Sequence, residues 1–220
     1  MLRFWAILGV AALVLATGCE KARDSYYKAL EKVGVEKREV LVGRVEKARD
    51  AQQEAQQQFR DALQEFQSIV GYRGGELEAK YEKLRGEYED SKKRADDVND
   101  KIRAVRNVAT SLFKEWETEL GQFTDANLRA ESQRELRETQ RRYGQVVAVM
   151  EKAATRMDPV LRKLNDQVLF LKHNLNARAL GSLQGTARSL QGDVDGLVRD
   201  MEASIAEASK FIEEMAKQPS

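Results

Sequence analysis

Residues 77–116, LEAKYEKLRGEYEDSKKRADDVNDKIRAVRNVATSLFKEW, carry apolar side chains at alternating intervals of four and three residues. The row consists of Leu77, Tyr81, Leu84, Tyr88, Ser91, Ala95, Val98, Ile102, Val105, Ala109, Leu112 and Trp116, and only Ser91 is not apolar. Such spacing, sustained over more than four heptads, keeps one side chain per turn on a single helix face. The segment therefore predicts a long helix that packs knobs-into-holes against a neighbour.

Three further segments, residues 41–69, 136–175 and 180–215, repeat this spacing. Turn-forming residues occur at 71–75, at 121–127 and, more weakly, at 174–182. These breaks predict helices near 22–70, 76–121, 126–176 and 182–216. Because short connections place consecutive helices side by side in opposite directions, the expected fold class is all-α. We expect an elongated antiparallel helical bundle or coiled coil of three to four long helices.

The sequence MDPVL at residues 157–161 leaves two alternatives inside the third segment. Asp158 and Pro159 could begin a new helix, because proline is tolerated in a first turn. The apolar spacing nevertheless continues from Met157 to Val160 and Leu164, and no loop residues flank the proline. These observations favour one continuous, kinked helix over a reversal of direction.

The N-terminus has the layout of a secretory signal. Arg3 precedes an uncharged stretch from Phe4 to Ala16, which is shorter than the ~20 residues that a helix needs to span a bilayer. The residues that follow, Ala16-Thr17-Gly18-Cys19, resemble the lipobox of bacterial lipoproteins. The resemblance implies that residues 1–18 are a signal peptide, that Cys19 is acylated, and that residues 19–220 form the mature chain, a single elongated helical-bundle domain.

The lipobox resemblance also implies a subcellular location. With Glu20 rather than Asp after the cysteine, the sorting rule of Gram-negative lipoproteins favours the periplasmic side of the outer membrane. A single thiol in an oxidising compartment has no partner for a disulfide bond, and acylation would use this thiol. Two or more acyl chains would then anchor the protein stably. The alternative is a plain signal peptide with a coincidental cysteine, or a free buried thiol.

Charge excludes one class of partner. Arg3 is the only charged residue among the first 18, so the chain from Cys19 carries 36 basic and 36 acidic residues and a formal net charge of zero. Broad electrostatic binding to nucleic acid is therefore not expected. The rows contain Ala, Ser, Gln and Tyr, which stabilise a helix interface less than Leu and Ile do. A second chain could complete these interfaces, so a homo-oligomer stays an open alternative.

No group of residues indicates catalysis, a metal site or a cofactor. His173 is the sole histidine and is expected to be a partly buried residue near a helix end. The carboxylate pairs Asp96-Asp97 and Glu213-Glu214 are adjacent in sequence, and adjacent residues on a helix do not face each other. We therefore expect a protein that is not an enzyme. A hydrolase of the cell envelope would need distant carboxylates gathered in one pocket.

The last helix contains four glycines, Gly181, Gly185, Gly192 and Gly196, at positions that face away from its apolar row. Each exposed glycine costs a helix roughly 1 kcal/mol relative to alanine. One interpretation is a loosely formed helix start. The other is a smooth interaction face that another backbone can approach closely, as small residues four apart permit.

The segment MDPVLRKLNDQVLFLKHNLNARALGSL, residues 157–183, resembles part of a family of bacterial periplasmic proteins known only as a domain of unknown function. The resemblance covers most of the mature chain and implies a periplasmic, helical protein, with no functional residues to carry over. The expected function is a structural or protein-interaction role for a lipid-anchored bundle, with unidentified envelope proteins as partners. The alternative is a holdase-like chaperone or apolar-ligand-binding protein.

Overall fold

The computed structural model describes residues 37–70, 72, 74 and 77–217. Its helices are α1 (Lys37–Val70), α2 (Leu77–Leu120), α3 (Ala126–His173), α4 (Ala177–Ser182) and α5 (Gln184–Lys217). The described residues contain no β-strand. The expectation of an all-α helical bundle is confirmed. The first 15 residues of the expected first helix, 22–36, lie outside the described residues, and the weak break at 174–182 contains the short helix α4.

The four long helices form one antiparallel bundle. Helix α1 packs against α2 and α5, and α3 packs against the same two helices, so α1 and α3 are diagonal to each other. Ion pairs show the opposite directions of α1 and α2: Lys37 at the start of α1 contacts Glu115 near the end of α2, whereas Glu65 near the end of α1 contacts Lys83 near the start of α2. Each helix thus runs opposite to both of its neighbours.

The apolar rows read from the sequence are the core. All members of the row from Leu41 to Ile69 are at most 1 % exposed, including the polar Gln52. Residues beside the rows, such as Leu63, Val147 and Val198, are buried as well. Because each helix contacts two neighbours, the buried stripe is wider than the two positions per heptad of a simple coiled coil.

Helix α3 runs unbroken for 48 residues through Pro159, which is exposed. Met157 and Val160, on either side, are both buried, so the core row keeps its phase across the proline. The expectation of a continuous helix is confirmed. At about 1.5 Å per residue, α3 is about 72 Å long, which makes the bundle elongated.

A buried polar layer links three helices at mid-length. The Ser204 hydroxyl on α5 donates a hydrogen bond to the Gln52 side-chain oxygen on α1 (2.7 Å), and the Gln52 amide nitrogen donates to the Met150 carbonyl on α3 (3.3 Å). Both side chains are fully buried. Because a slip of one helix would leave these groups without partners, the layer fixes the register of α1, α3 and α5.

The two ends of the bundle differ. At one end the first turn of α1 lies beside the last turn of α5, where the Arg38 guanidinium donates to the Met215 carbonyl (3.4 Å), and beside the end of α2. The α2–α3 turn, residues 121–125, belongs to this end, which we call the hairpin end. The opposite end carries α4 and is called the α4 end. A chain leaving residue 37 toward the N-terminus therefore starts from the hairpin end.

Candidate interaction surfaces

Outside the apolar core, ion pairs link α3 to α5 next to a buried glycine. Lys152 and Arg156 on α3 both contact the carboxylate of Asp200 on α5, at 2.8 Å and 2.5 Å. One turn before Asp200, Gly196 is buried, and a Cβ atom built on it would lie 2.8 Å from Nη1 of Arg156. The expectation that Gly196 lies on the outer face is wrong. Because Gly196 has no side chain, the side chain of Arg156 can pass over it and reach the carboxylate of Asp200.

The other three glycines of this region are exposed. A Cβ atom added at Gly181, Gly185 or Gly192 would meet no atom within 4 Å. Ser189, whose hydroxyl accepts a hydrogen bond from Lys163, lies four residues after Gly185 and three before Gly192. Residues at such spacing share a helix face, so these two glycines lie on the side of α5 that is turned toward α3.

An aromatic residue of α3 lies on the same side. Phe170 follows Lys163 by two turns, is 36 % exposed and is next to Leu169, which is 51 % exposed. Because α3 and α5 are antiparallel and Lys163 contacts Asp193, Phe170 is level with the start of α5. We call Gly185, Gly192 and Phe170 the glycine face. It combines exposed backbone with an apolar side chain near the α4 end.

A second surface lies at the hairpin end. A groove of about 620 Å³, which we call the hairpin groove, lies where the end of α2 and the start of α3 meet the ends of α1 and α5. Three apolar side chains, those of Trp116, Phe123 and Leu128, line it together with Ser132 and six charged side chains. Phe123 and Leu128 are 39 % and 56 % exposed. The Trp116 indole nitrogen donates a hydrogen bond to the Ser132 hydroxyl across the two helices (2.8 Å), so the floor of the groove is fixed.

The local sequence builds this groove. The Asp125 carboxylate accepts hydrogen bonds from the backbone amides of Asn127 (2.7 Å) and Leu128 (3.2 Å) and thereby caps the first turn of α3. Farther along the same two helices, Phe113 and Tyr143 pack edge-to-face with ring centroids 5.3 Å apart. Burial raises the pKa of the Tyr143 hydroxyl above its ordinary value. The cap and this ring contact fix α3 against α2 next to the groove.

A buried carboxylate forms a charged cluster between α1 and α2. The Glu65 carboxylate is 5 % exposed at the α1–α2 interface and contacts Lys83 (2.6 Å) and Lys80 (3.4 Å). Burial alone would raise the pKa of Glu65. The hydrogen bonds from Lys83 and Ser68 and the charges of both lysines outweigh burial, so this pKa lies below its ordinary value. The cluster therefore joins α1 to α2.

The structure separates the other residues singled out in the sequence. His173 ends α3 and is exposed rather than partly buried, because α3 stops before the chain turns into α4. Asp96 is exposed and pairs with Lys92, while Glu214 contacts Arg142. Across the described residues, no three histidine, cysteine or acidic side chains come together as a metal site would require.

Cys19 and the predicted signal peptide, residues 1–18, lie outside the described residues. Within the helices that the structure describes, none has the length and apolar character needed to cross a membrane.

The hairpin groove was not identified from the sequence. The spacing places Trp116 in the apolar row of α2, and Phe123 lies among the turn-forming residues 121–127. The available signal was an aromatic residue within a turn, followed by Leu128, which lies outside the row that begins at Leu136. Two apolar residues that lie beside a turn and outside the apolar rows of both helices indicate an apolar surface that the packing of these helices leaves exposed.

These features define an antiparallel four-helix bundle whose candidate sites are surfaces rather than an enclosed pocket. The chain belongs to the family described as "Protein of unknown function (DUF2959)", which matches residues 26–215. Membership of an uncharacterised family, expected from the sequence, is thereby confirmed. No protein with a curated description and no solved structure matches the chain.

Proposed function

We propose that the protein is a lipid-anchored, non-catalytic bundle of the periplasm that is held at its hairpin end and binds an envelope protein through the glycine face. The observation that carries this proposal is the position of the glycine face. Gly185 and Gly192 offer open backbone beside an exposed aromatic ring, near the end of the bundle opposite the start of α1. An anchor upstream of Lys37 would leave this surface accessible.

The chemistry of the glycine face suits a helical partner. Two glycines seven residues apart lie on one side of a helix and let a second backbone approach closely, as small residues at helix interfaces do. Phe170 supplies apolar area, and aromatic residues are enriched at the centres of protein interfaces. A partner helix of low charge, with an apolar residue opposite Phe170, would fit this surface.

The anchor is tested by labelling. Cells that express the full chain and grow with labelled palmitate should incorporate label into the wild type and none into Cys19→Ala. The labelled protein should fractionate with outer membranes. Equal labelling of the two chains, or label with inner membranes only, contradicts this part of the proposal.

The binding surface is tested by photo-crosslinking in intact cells. A benzoylphenylalanine introduced at Gly192 should capture a discrete partner, identified by mass spectrometry. The same residue at Gly144 is the matched control, because Gly144 is also an exposed glycine with open space around it but lies on α3 away from the glycine face. Adducts of equal yield at both positions, or at neither, contradict a binding role for this face.

A holdase-like chaperone is the second candidate, favoured by the adjacent exposed side chains of Leu169 and Phe170. Such a protein should slow the aggregation of an unfolded client, and the double variant Leu169→Ser, Phe170→Ser should lose this effect while keeping its helix content. Wild-type protein with no effect on aggregation rules this candidate out.

A further inference from the structure

The outer face of α1 carries acidic side chains and no basic ones. Residues at intervals of three and four share this face, namely 39, 43, 46, 50, 53, 54, 57, 61, 64 and 68. All of them are exposed or half-buried, and none is a lysine or an arginine. We call its carboxylates the acidic strip: Glu39, Glu46, Asp50, Glu54 and Asp61. At about 1.5 Å per residue, this strip is about 33 Å long.

The outer face of α3 has the opposite character. Residues 134, 137, 141, 144, 145, 148, 152, 155, 159 and 162 share one side of the helix, and all ten are exposed. None of them is an aspartate or a glutamate. We call its cations the basic strip: Arg134, Arg137, Arg141, Lys152 and Arg162. This strip is about 42 Å long.

The two strips lie on opposite sides of the molecule. Helices α1 and α3 are diagonal in the bundle, because each packs against α2 and α5. Their outer faces therefore point away from each other. The formal net charge of zero from Cys19 onward conceals this separation, since the chain as a whole is balanced while two of its faces are not.

The charges of the two strips also occur at matching heights along the bundle. Gln52 on α1 donates its hydrogen bond to Met150 on α3, and the two residues are 98 apart in sequence. Both helices run antiparallel to α2, so they run in the same direction and residues 98 apart are level. Glu39 is thus level with Arg137. By the same count Glu54 is level with Lys152, and no cation of the basic strip is level with another cation.

Much of this charge is available to an external partner. Within the described part of the chain, Glu39 and Glu46 form no ion pair, and the same is true of Arg137 and Arg162. Three acidic side chains beside the basic strip are already held in ion pairs: Glu131 with Arg134, Glu138 with Arg142, and Glu151 with Arg106. The outer face of α3 therefore keeps an excess of positive charge.

We propose that the partner of these two faces is a second copy of this chain, with the acidic strip of one copy facing the basic strip of the next. A sideways translation without axial shift brings level residues together, so Glu39 of one copy meets Arg137 of its neighbour. Complementary charges at matched spacing favour this single alignment. This inference does not rest on the lipid anchor or on the glycine face.

The geometry extends beyond a pair. The two contacting surfaces are different, so each copy in a pair still has one unoccupied strip, and a translation that repeats produces an open row rather than a closed dimer. All bundles in such a row point the same way. Individual surface ion pairs are weak and screened by salt, so the row depends on several of them acting together.

Cysteines at two uncharged positions test the row in cells that express the full chain. Gln57 and Thr155 are exposed and level, and they lie on the outer faces of α1 and α3. They cannot pair within one molecule, because a disulfide needs Cα atoms within about 7 Å and these faces point in opposite directions. Gln57→Cys with Thr155→Cys should, after mild oxidation, give a ladder of dimers, trimers and larger species on a non-reducing gel.

The matched control combines Gln57→Cys with Thr110→Cys. Thr110 is an exposed threonine on α2 whose hydroxyl bonds to a carbonyl of its own helix, as that of Thr155 does. Both chains keep Cys19, so any disulfide that it forms contributes equally to the two gels. A ladder in the 57–155 chain alone supports the proposal. Dimers only, a disulfide to another protein, equal ladders in both chains or no ladder in either overturn it.

Charge reversal distinguishes a second copy from another occupant. In the 57–155 chain, Glu39→Lys with Glu46→Lys places lysines near Arg137 and Arg141 of the neighbouring copy, and the ladder should disappear. Adding Arg137→Glu and Arg141→Glu restores opposite charges, so the ladder should return. None of these four side chains forms an ion pair in the described molecule, so the fold should persist, as circular dichroism can verify.

The reversal also covers the alternative partners of the basic strip. If an anionic membrane surface or an acidic protein covered α3, the change on α1 would have no effect on that contact, and the second pair of substitutions would not act as a rescue. A ladder that survives Glu39→Lys with Glu46→Lys, or that the fourfold variant fails to restore, overturns the proposal.

Discussion

The guanidinium of Arg156 lies over Gly196, where a Cβ atom would be only 2.8 Å from Nη1. Arg156 crosses this glycine to contact Asp200 at 2.5 Å, and Lys152 contacts the same carboxylate. The path of the Arg156 side chain to Asp200 therefore depends on the absence of a side chain at residue 196. Gly192, one turn earlier on the same helix, has no such neighbour.

The two glycines should respond differently to alanine. Gly192→Ala should raise the free energy of unfolding by about 1 kcal/mol, because alanine is the better helix former and its methyl group meets open space. Gly196→Ala should raise the free energy of unfolding distinctly less, because the side chain of Arg156 must move away from Asp200. Urea denaturation measures both changes, and an equal gain at the two positions would show that Arg156 moves without cost.

Removing the hydroxyl of the buried polar layer should be costly. Ser204→Ala leaves the Gln52 oxygen without its donor, and we expect a loss of about 1–2 kcal/mol in the free energy of unfolding. Ser209→Ala, whose hydroxyl bonds only to the Ile205 carbonyl of its own helix, is the control and should change little. Adding Gln52→Met to Ser204→Ala should restore most of the loss, since no unpaired oxygen then remains.

One buried hydroxyl offers a stabilising change. Thr139 is 1 % exposed, and its hydroxyl has no hydrogen-bond partner in the described part of the chain. Thr139→Val keeps the shape and removes the unpaired group, so the free energy of unfolding should rise by about 1 kcal/mol. The control is Thr155→Val on the same helix, an exposed threonine that bonds to the Glu151 carbonyl. A gain in the control as large as that at residue 139 contradicts the explanation.

Stability should fall in acid partly through Glu65. Its pKa is lower in the folded protein than in the unfolded chain, so the stabilisation is complete above the unfolded pKa of about 4.3 and is lost as pH falls through the folded pKa. Thermal midpoints measured between pH 6 and pH 3 should decrease more for wild type than for Glu65→Gln. Glu89→Gln, an exposed carboxylate, should follow the wild-type curve. Identical slopes for wild type and Glu65→Gln refute the assignment.

Much of the fold could be predicted because it depends on a repeating pattern. The rows predicted the buried face of each long helix, and the unbroken phase from Met157 to Val160 predicted a continuous α3. Gly196 was placed incorrectly because a heptad position describes one interface, whereas α5 contacts both α1 and α3. Its burial depends on the reach of Arg156, which no spacing within α5 can show.

The candidate surfaces were less predictable for a physical reason. The hairpin groove depends on where α1 begins relative to the end of α2, which is a relation between helices rather than a property of either sequence segment. The openness of Gly185 and Gly192 likewise depends on the side chains of α3. Heptad spacing predicts which face of a helix is buried, and it leaves the ends and flanks of a bundle undetermined.

The start of α1 and the end of α5 lie side by side at one end of the bundle, and the two helices run in opposite directions. A mechanical load applied between Lys37 and Lys217 would therefore separate α1 from α5 one turn at a time. The same load applied between opposite ends would strain every turn simultaneously and meet far greater resistance. Tension between these two ends would thus separate α1 from α5 stepwise, and after the Arg38–Met215 contact the helices would meet the fully buried hydrogen bond between Gln52 and Ser204.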